Sequence, residues 1–299
     1  MPLTTPTRVP LAACVVVLAV AGSGCVDMVA TGGLAHVERE EKRFTTSGRP
    51  EVVLLTFDGS IEVRPWDSSD VLVVVEKRAL DRDMVEDIEV RAEQDGNRVT
   101  VEARLKSPRR HLWGVNRNAR LIVSLPAASD VQATSGDGSI DVERVSGRLE
   151  LRSGDGSIRG RELSGDIKAQ TGDGSIHLDQ IDGRLDASTG DGSIVASGKL
   201  SALRARSGDG SVRIRAESGS AATEDWDVST GDGSVTIDLP ESFNAELDAL
   251  TSDGRVSVSN QSISETSEAT KRSIRARLGA GGRSVRVRSG DGSIRLGRS

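Results

Sequence analysis

Hydrophobic and polar residues follow a repeated pattern over much of this 299-residue chain. The motif Gly-Asp-Gly-Ser-Ile/Val returns at a constant interval, with its aspartates at Asp137, Asp155, Asp173, Asp191 and Asp209. Counted from each aspartate, apolar residues favour positions −6, −4, +3 and +5, which in the first repeat are Val131, Ala133, Ile140 and Val142. A spacing of two within each pair is typical of strands that turn one face inward.

The Gly-Asp-Gly segment between two such strands predicts a turn, because glycine tolerates positive φ and aspartate hydrogen-bonds to nearby backbone. Each repeat then contains a strand, this turn, a second strand and a second turn. One unit cannot bury its apolar face alone, whereas stacked units share a continuous core. We therefore predict an all-β fold, a single-stranded β-helix or β-solenoid in which one repeat forms one coil. Each coil should rise about 4.8 Å.

Outside the regular repeats the same pattern is looser. Later motifs contain Asp232, Asp253 and Asp291 at uneven intervals, and an early copy contains Asp58. Residues 50–130 are typical of short strands, with a hairpin turn at Asp95-Gly96 and a short helical segment within 79–86. We expect 50–130 to form irregular opening coils and 131–299 to form the regular solenoid of the same body. Some segment must cover its exposed end, because an open strand edge invites aggregation.

The N-terminus has the features of an export signal. Arg8 precedes an apolar run over 11–21, which is too short to span a bilayer, and small residues then lead to Cys25. This cysteine resembles that of the bacterial lipobox, although Gly22 stands where the motif has leucine. We expect a signal peptide over 1–24, lipidation of Cys25 and a polar tether over 25–49. An ordinary cleaved signal and a retained anchor are the alternatives.

Composition narrows the functions that this body could have. Aromatic residues form only 2% of the chain, whereas glycine contributes 33 residues. A narrow interior filled by small aliphatic side chains needs few aromatic residues. Single-stranded nucleic acids are bound on aromatic platforms, which this chain lacks, and a net charge of −6 argues against a phosphate-binding surface. We therefore expect no nucleic-acid partner.

An ordered set of motifs resembles a known bacterial family. The set consists of Phe57-Asp58-Gly59-Ser60-Ile61, a Leu-Ile-Val-Ser-Leu-Pro segment over 121–126, the tandem Gly-Asp-Gly units, and Leu239-Pro240 followed by Thr251-Ser252-Asp253-Gly254. It is similar to a family of envelope proteins catalogued as a domain of unknown function and labelled "putative adhesin", related to the head domain of autotransporter adhesins. The resemblance covers roughly residues 50–298. It implies a β-helical fold and a secreted or membrane-attached location, and it implies no reaction.

Stacked coils would place the repeat aspartates in a ladder along one edge. Carboxylates about 5 Å apart repel by only about 0.9 kcal/mol per pair in water, so an exposed ladder needs no metal. Calcium suits clustered carboxylates, but calcium-binding β-rolls use a different glycine and aspartate pattern. We expect turn-forming aspartates and no cofactor. The alternative is a calcium ladder at Asp137, Asp155, Asp173, Asp191 and Asp209.

A basic segment that contains Arg109, Arg110 and Trp113 interrupts the pattern. It is either a contact patch for anionic lipid, lipopolysaccharide or a partner, or a solvated hairpin whose tryptophan covers the end of the solenoid. Pectin-degrading enzymes also combine β-helices with aspartate clusters. An active site, however, is a departure from a repeat, and these aspartates are the repeat itself.

We therefore expect a non-enzymatic, exported lipoprotein of the cell envelope, in the outer membrane or facing the periplasm. Its repeated polar groups would bind an unidentified envelope or surface ligand by multivalency, while the lipid holds it on the membrane. A structural envelope scaffold without an external ligand is the alternative. A calcium-binding β-roll and a polysaccharide-active β-helix enzyme are further alternatives.

Overall fold

The structure is a computed structural model that describes residues 36–106, 117–259, 261 and 263–299. The described residues form 23 strands and one short helix, α1 (Arg82–Glu86). The strands are β1 (His36–Phe44), β2 (Glu51–Thr56), β3 (Ile61–Pro65), β4 (Val71–Ala79), β5 (Ile88–Asp95), β6 (Arg98–Leu105), β7 (Asn118–Leu125), β8 (Asp130–Ser135), β9 (Ile140–Glu143), β10 (Ser146–Ser153), β11 (Ile158–Arg161), β12 (Ser164–Thr171), β13 (Ile176–Thr189), β14 (Ile194–Ser207), β15 (Val212–Ala216), β16 (Trp226–Thr230), β17 (Val235–Leu239), β18 (Ala245–Thr251), β19 (Val256–Val258), β20 (Ile263–Ala269), β21 (Ser273–Leu278), β22 (Ser284–Ser289) and β23 (Ile294–Arg298).

Parallel pairing at an offset of one repeat confirms the predicted β-solenoid. Leu149 of β10 pairs with Val131 on one side and Ile167 on the other, and each partner lies one repeat away along the chain. Ile158 of β11 pairs in the same way with Ile140 and Ile176. The strand segments before each Gly-Asp-Gly turn form one sheet surface, here called wall A. The segments after each turn form the second, wall B.

The predicted apolar positions face the interior between the walls. Val131, Ala133, Ile140 and Val142 are at most 2% exposed, and their equivalents in the other repeats belong to the same core cluster. Trp226 also occupies an inward position, where it is fully buried and packs on Phe243 with ring centroids 4.8 Å apart. The core is therefore one continuous column of mostly aliphatic side chains.

The Gly-Asp-Gly turns need glycine for a reason other than the one predicted from the sequence. No glycine of the tandem motifs has φ in the left-handed region. Each is instead pressed against the backbone of the next coil: a Cβ atom at Gly190 would lie 2.8 Å from the carbonyl oxygen of Gly172. At Gly192 a Cβ atom would meet the backbone of Gly174 still more closely. Close stacking of the coils, and not turn conformation, therefore requires glycine here.

A hydroxyl residue two positions before each repeat aspartate lies inside the turn. Thr189 Oγ1 donates to the carbonyl oxygen of Gly174 at 2.8 Å and accepts from the Gly192 N–H at 3.2 Å. The equivalent hydroxyl residues are all buried: Ser135, Ser153, Thr171, Ser207, Thr230, Thr251 and Ser289. These hydroxyls satisfy backbone groups buried between coils, so the serine or threonine at this position does not belong to the outer polar surface.

The first and last coils of the described chain are inserted between coils from elsewhere in the sequence. β2 lies between β6 and β8, and β3 between β7 and β9, in parallel pairing. At the other end, β22 lies between β16 and β18, and β23 between β17 and β19. The coil of Asp291 therefore stacks between the coils of Asp232 and Asp253, out of chain order.

Antiparallel strands extend the stack beyond both inserted coils. On the N-terminal side β5 pairs with β6, while β4 pairs with β7 and β1 with β4. On the C-terminal side β21 pairs with β18, and β20 pairs with β21. The helix α1 joins β4 to β5 and buries Val85. The edge strands β1 and β20 carry mostly exposed, polar or charged side chains, which discourage edge-to-edge association.

Residues 36–44 form the strand β1, so the polar tether predicted over 25–49 is wrong for this part. β1 pairs along its whole length with β4. The buried Lys77 of β4 forms ion pairs with Glu38 and Glu40, and Phe44 joins the core. Partial burial raises the pKa of the Glu40 carboxyl, but the hydrogen bonds and charges of Lys77 and Lys42 together lower it overall. The charged strand β1 therefore has partners within the fold.

The substitution Thr189→Val should lower the free energy of unfolding by about 1–3 kcal/mol. Valine keeps the shape of the side chain, but the backbone groups of Gly174 and Gly192 lose their partner while they stay buried. Thr236→Val, at an outward position of β17, is the matched control and should change stability by less than about 0.5 kcal/mol. Urea denaturation measures both, and equal effects would mean that the buried hydroxyl contributes nothing.

The substitution Gly192→Ala should be more destabilising than Gly96→Ala. Gly96 has φ +58° and open space around it, so alanine there costs only the strain of a left-handed residue, about 1–2 kcal/mol. At Gly192 the added methyl collides with the backbone of the neighbouring coil, which should cost roughly 3 kcal/mol. Denaturant titration of both variants tests this order. A smaller loss at Gly192 would contradict the close-stacking explanation.

Candidate functional surface

The outer face of wall A carries a ladder of charges that alternate in sign from strand to strand. In stacking order its members are Glu150, Lys168, Asp186, Arg204, Asp227, Arg286, Asp248 and Arg275. Each residue lies directly opposite the next in the register of the sheet. Ion pairs form at 3.7 Å between Lys168 and Glu150, 3.9 Å between Arg204 and Asp186, and 3.6 Å between Arg275 and Asp248.

The neighbouring outward column of wall A adds to this pairing. Arg206 contacts Asp227 at 2.5 Å and Arg288 contacts Asp248 at 2.5 Å. Burial raises the pKa of the Asp248 carboxyl, but the hydrogen bond from Arg288 and the charge of Arg275 lower it overall. This surface, here called the paired face, therefore satisfies its charges internally.

The outer face of wall B has a different electrostatic character. From β11 onwards, positions +4 and +6 of this wall present five arginines, here called the basic face: Arg159, Arg161, Arg213, Arg215 and Arg295. Arg159 lies 3.7 Å from Asp141. The other four form no ion pair or side-chain hydrogen bond with any described residue. Most of these guanidinium groups therefore remain available to an outside partner.

The two outward columns of wall B differ in their acidic residues. From Arg159 onwards, the column at position +4 after each repeat aspartate continues through His177, Val195, Arg213, Thr236 and Arg295, and no member is acidic. The column at position +6 mixes arginines with acids, among them Asp179, which accepts a hydrogen bond from Ser197. Asp238 in that column lies opposite Arg215 in register. The +4 column is therefore a positive stripe on an acidic protein.

The repeat aspartates form the edge between the two walls. Their stacking order is Asp58, Asp137, Asp155, Asp173, Asp191, Asp209, Asp232, Asp291 and Asp253, and all but the half-buried Asp58 are exposed. Burial raises the pKa of the Asp58 carboxyl, and the charge of Asp137 raises it further. Within the described ranges no three histidine, cysteine or acidic side chains are grouped to hold a metal ion. The predicted turn aspartates thus form a row of solvated charges.

A small open cleft of about 310 Å³ lies where the regular ladder meets the N-terminal strands. Its lining consists of Asp58, Gly59, Ser60, Glu76, Arg78, Asn118 and Arg120. Arg120 lies 2.5 Å from Glu62 and 3.7 Å from Glu76, so the protein itself neutralises its guanidinium. The cleft is polar and breaks the repeat, but Arg120, one of its two arginines, is already paired.

Several residues singled out by the sequence lie outside the described residues. They are the signal peptide over 1–24, the lipidation candidate Cys25, and the contact-patch candidates Arg109, Arg110 and Trp113. Their roles stay predictions. No helix in the part of the chain that the structure describes is long and apolar enough to cross a membrane.

The basic face was not found from the sequence, although a signal for it exists. Its arginines occupy position +4 or +6 after a repeat aspartate, and both positions point outward because +3 and +5 point inward. The sequence does not show which acidic residues lie within pairing distance of each arginine. The difference between the two walls therefore appears only in the structure.

Two polar walls around an aliphatic column define a repeat protein that offers extended surfaces. The chain belongs to the Toastrack family, DUF4097, whose family model matches residues 53–297. This match confirms the family resemblance predicted from the ordered motifs. The family name itself denotes a domain of unknown function.

Solved structures also match most of the chain at low identity. A "putative adhesin" from Bacteroides fragilis is 12% identical, with coverage of 87% of this chain and 97% of that one and a TM-score of 0.44. A "putative lipid binding protein" from Parabacteroides distasonis is 15% identical, with coverage of 86% and 96% and a TM-score of 0.47. A "putative cell adhesion protein" from Clostridium sporogenes is 10% identical, with coverage of 88% and 100% and a TM-score of 0.28. No curated protein matches the chain.

The substitution Asp58→Asn should raise stability near neutral pH, because it removes a charge that burial and Asp137 disfavour. The Asp58 carboxyl binds its proton more tightly in the folded chain than in the unfolded chain, where its pKa is about the ordinary 3.8. The wild type therefore regains stability as the pH falls through the raised pKa towards 3.8, and the advantage of the variant disappears over that window.

Thermal unfolding midpoints between about pH 7 and pH 3 measure this difference. Asp209→Asn, on an exposed rung of the same ladder, is the matched control and should show a smaller change. A stability difference for Asp58→Asn that grows as the pH falls would contradict the assigned direction.

Proposed function

We propose that this protein is a non-enzymatic component of the cell envelope that binds an envelope or surface molecule through the outer faces of its solenoid. One observation carries the proposal: exposed charged side chains recur in register on a rigid scaffold, one coil after another. Such an array suits many weak contacts that act together, because each added contact is made within an already formed complex.

The proposed location rests on the N-terminal sequence. The apolar run and small residues before Cys25 are typical of exported proteins, and lipidation at Cys25 would attach the solenoid to a membrane. The described residues begin with β1 at His36, so a short segment would separate the lipid from the folded body. This arrangement would leave both walls free to meet a ligand.

A structural scaffold without an external ligand is the competing function. The paired face favours it, because charges that neutralise one another hold the coils in register and offer little to a partner. The basic face favours binding, because four of its arginines form no ion pair within the described chain. The two functions differ in whether the isolated protein associates with envelope material.

Removal of two coils should weaken association with envelope material by roughly threefold to tenfold, because fewer contacts act together. The deletion of 146–181 joins Val145 to Asp182 and keeps the stacking register, since Ser146, Ser164 and Asp182 are successive partners. It also avoids a clash of like charges, whereas removal of a single coil over 164–181 would place Glu150 beside Asp186. Sedimentation with isolated bacterial envelopes at physiological salt measures binding.

Circular dichroism of the deletion variant controls for folding. Wild-type protein that stays in the supernatant would overturn the binding function in favour of the scaffold. A folded deletion variant that binds as strongly as the wild type would also contradict a binding array that extends along the solenoid.

A further inference from the structure

We propose that the basic face binds a linear acidic polysaccharide, lying along the solenoid axis with its carboxylates on Arg213 and Arg295. This inference rests on the proposed binding function and names the partner class and the face that receives it. The pairing, spacing and surroundings of the arginines in the described residues support it.

The arginines of the two walls differ in their partners. Arg206 and Arg288 of wall A are held by Asp227 and Asp248. Arg213 and Arg295, which follow them in the next strand of each coil on wall B, have no ion pair with a described residue. Guanidinium groups without internal partners keep their capacity for two parallel hydrogen bonds to a carboxylate.

The spacing of these arginines suits a linear polymer. Arg213 pairs in register with Thr236, and Thr236 pairs with Arg295, so the two arginines are two strands apart. Two strand spacings are about 10 Å. Arg159 occupies the same column three strands away in the opposite direction. The column runs along the solenoid axis, so a chain with one acid group per sugar unit can follow it.

The aspartate ladder borders the +4 column on the turn side, where it includes Asp209 and Asp232. The opposite side is mixed in charge, because Asp238 lies opposite Arg215 in register and Glu241 is paired with Arg298. A broad anionic plane such as a membrane would meet the aspartate ladder and be repelled, whereas a single polymer chain can lie beside it.

Recognition on the described part of wall B depends on charge and not on aromatic rings. Trp226 is buried in the core, and the ring of Trp66 lies beneath Arg43 at 5.4 Å. The outer face of wall B carries no tryptophan or phenylalanine among the described residues, so sugar rings have no platform there. Binding must act through charge, with hydroxyl groups such as that of Thr236 as additional hydrogen-bond partners. Affinity should therefore fall as the salt concentration rises.

The test measures binding of an oligogalacturonate of about eight sugars to the full chain by isothermal titration calorimetry. The uncharged maltooctaose is the ligand control. The double variant Arg213→Gln/Arg295→Gln should weaken binding of oligogalacturonate about tenfold, because two exposed charge pairs are lost. The matched variant Arg206→Gln/Arg288→Gln changes the net charge equally, in the same two coils, and should stay within about twofold of the wild type.

A second variant tests the border. Asp209→Asn/Asp232→Asn should strengthen binding, because two carboxylates that repel the polymer are neutralised. Equal losses in the two arginine variants would overturn the proposal, since only overall charge would then matter. Binding of maltooctaose as strong as that of oligogalacturonate would also overturn it. The proposal would also be overturned if binding to phosphatidylglycerol vesicles depended on Arg213 and Arg295 while binding of oligogalacturonate did not.

The outcome separates this inference from the proposed function. If Arg213→Gln/Arg295→Gln binds envelopes as the wild type does and the wild type does not bind oligogalacturonate, this inference fails while the binding function stands. If the wild type does not bind envelopes, the binding function fails by itself. Loss of both envelope and oligogalacturonate binding in the Arg213→Gln/Arg295→Gln variant, but not in the matched variant, supports both.

Discussion

The backbone contact between glycines of successive coils sets the geometry on which the rest of this structure depends. The N–H of Gly190 donates to the carbonyl oxygen of Gly172 at 2.6 Å, and Gly208 repeats the bond to Gly190 at 2.6 Å. A side chain at either position would force the coils apart. Beside this contact, the hydroxyl of Thr189 satisfies further backbone groups of the turn. Glycine and hydroxyl together keep the turns at the strand spacing of about 4.8 Å, so that the walls on either side form regular parallel sheets.

That spacing determines how the outer surface can be used. Equivalent side chains of neighbouring coils lie opposite one another, so like charges in one column would repel and opposite charges attract. Wall A follows this constraint through a ladder of alternating sign, and its arginines are engaged by carboxylates. Wall B separates Arg213 from Arg295 by the uncharged Thr236, so these two arginines neither repel strongly nor form ion pairs within the described chain. The same scaffold thus supports one face that stabilises the stack and one that remains available to a ligand.

The two ends of the solenoid are covered to different extents. Antiparallel strands extend both walls at the N-terminal end but only wall A at the C-terminal end, where β19 pairs with β23 alone among the described strands. The first coil of the described chain is inserted between two later coils, and the last coil is inserted between two earlier ones. The charged strand β1 packs at the N-terminal end because Glu40 forms an ion pair with Lys77 and Phe44 joins the core. Insertion makes the first and last coils depend on residues far away in the chain, so their folding must wait for those residues.

The sequence by itself determined the repeat, the inward positions and the all-β solenoid, because a constant repeat length and an alternation of two are local properties of the chain. It also placed the helix within 79–86 and, one residue early, the hairpin turn that lies at Gly96-Asn97. Only the tertiary structure decided that Thr189 is buried, that glycine is needed for contact between coils, and that β2 and β22 are inserted out of order. It also decided which arginines are paired. These properties depend on distances between residues far apart in the chain, and a one-dimensional pattern does not contain those distances.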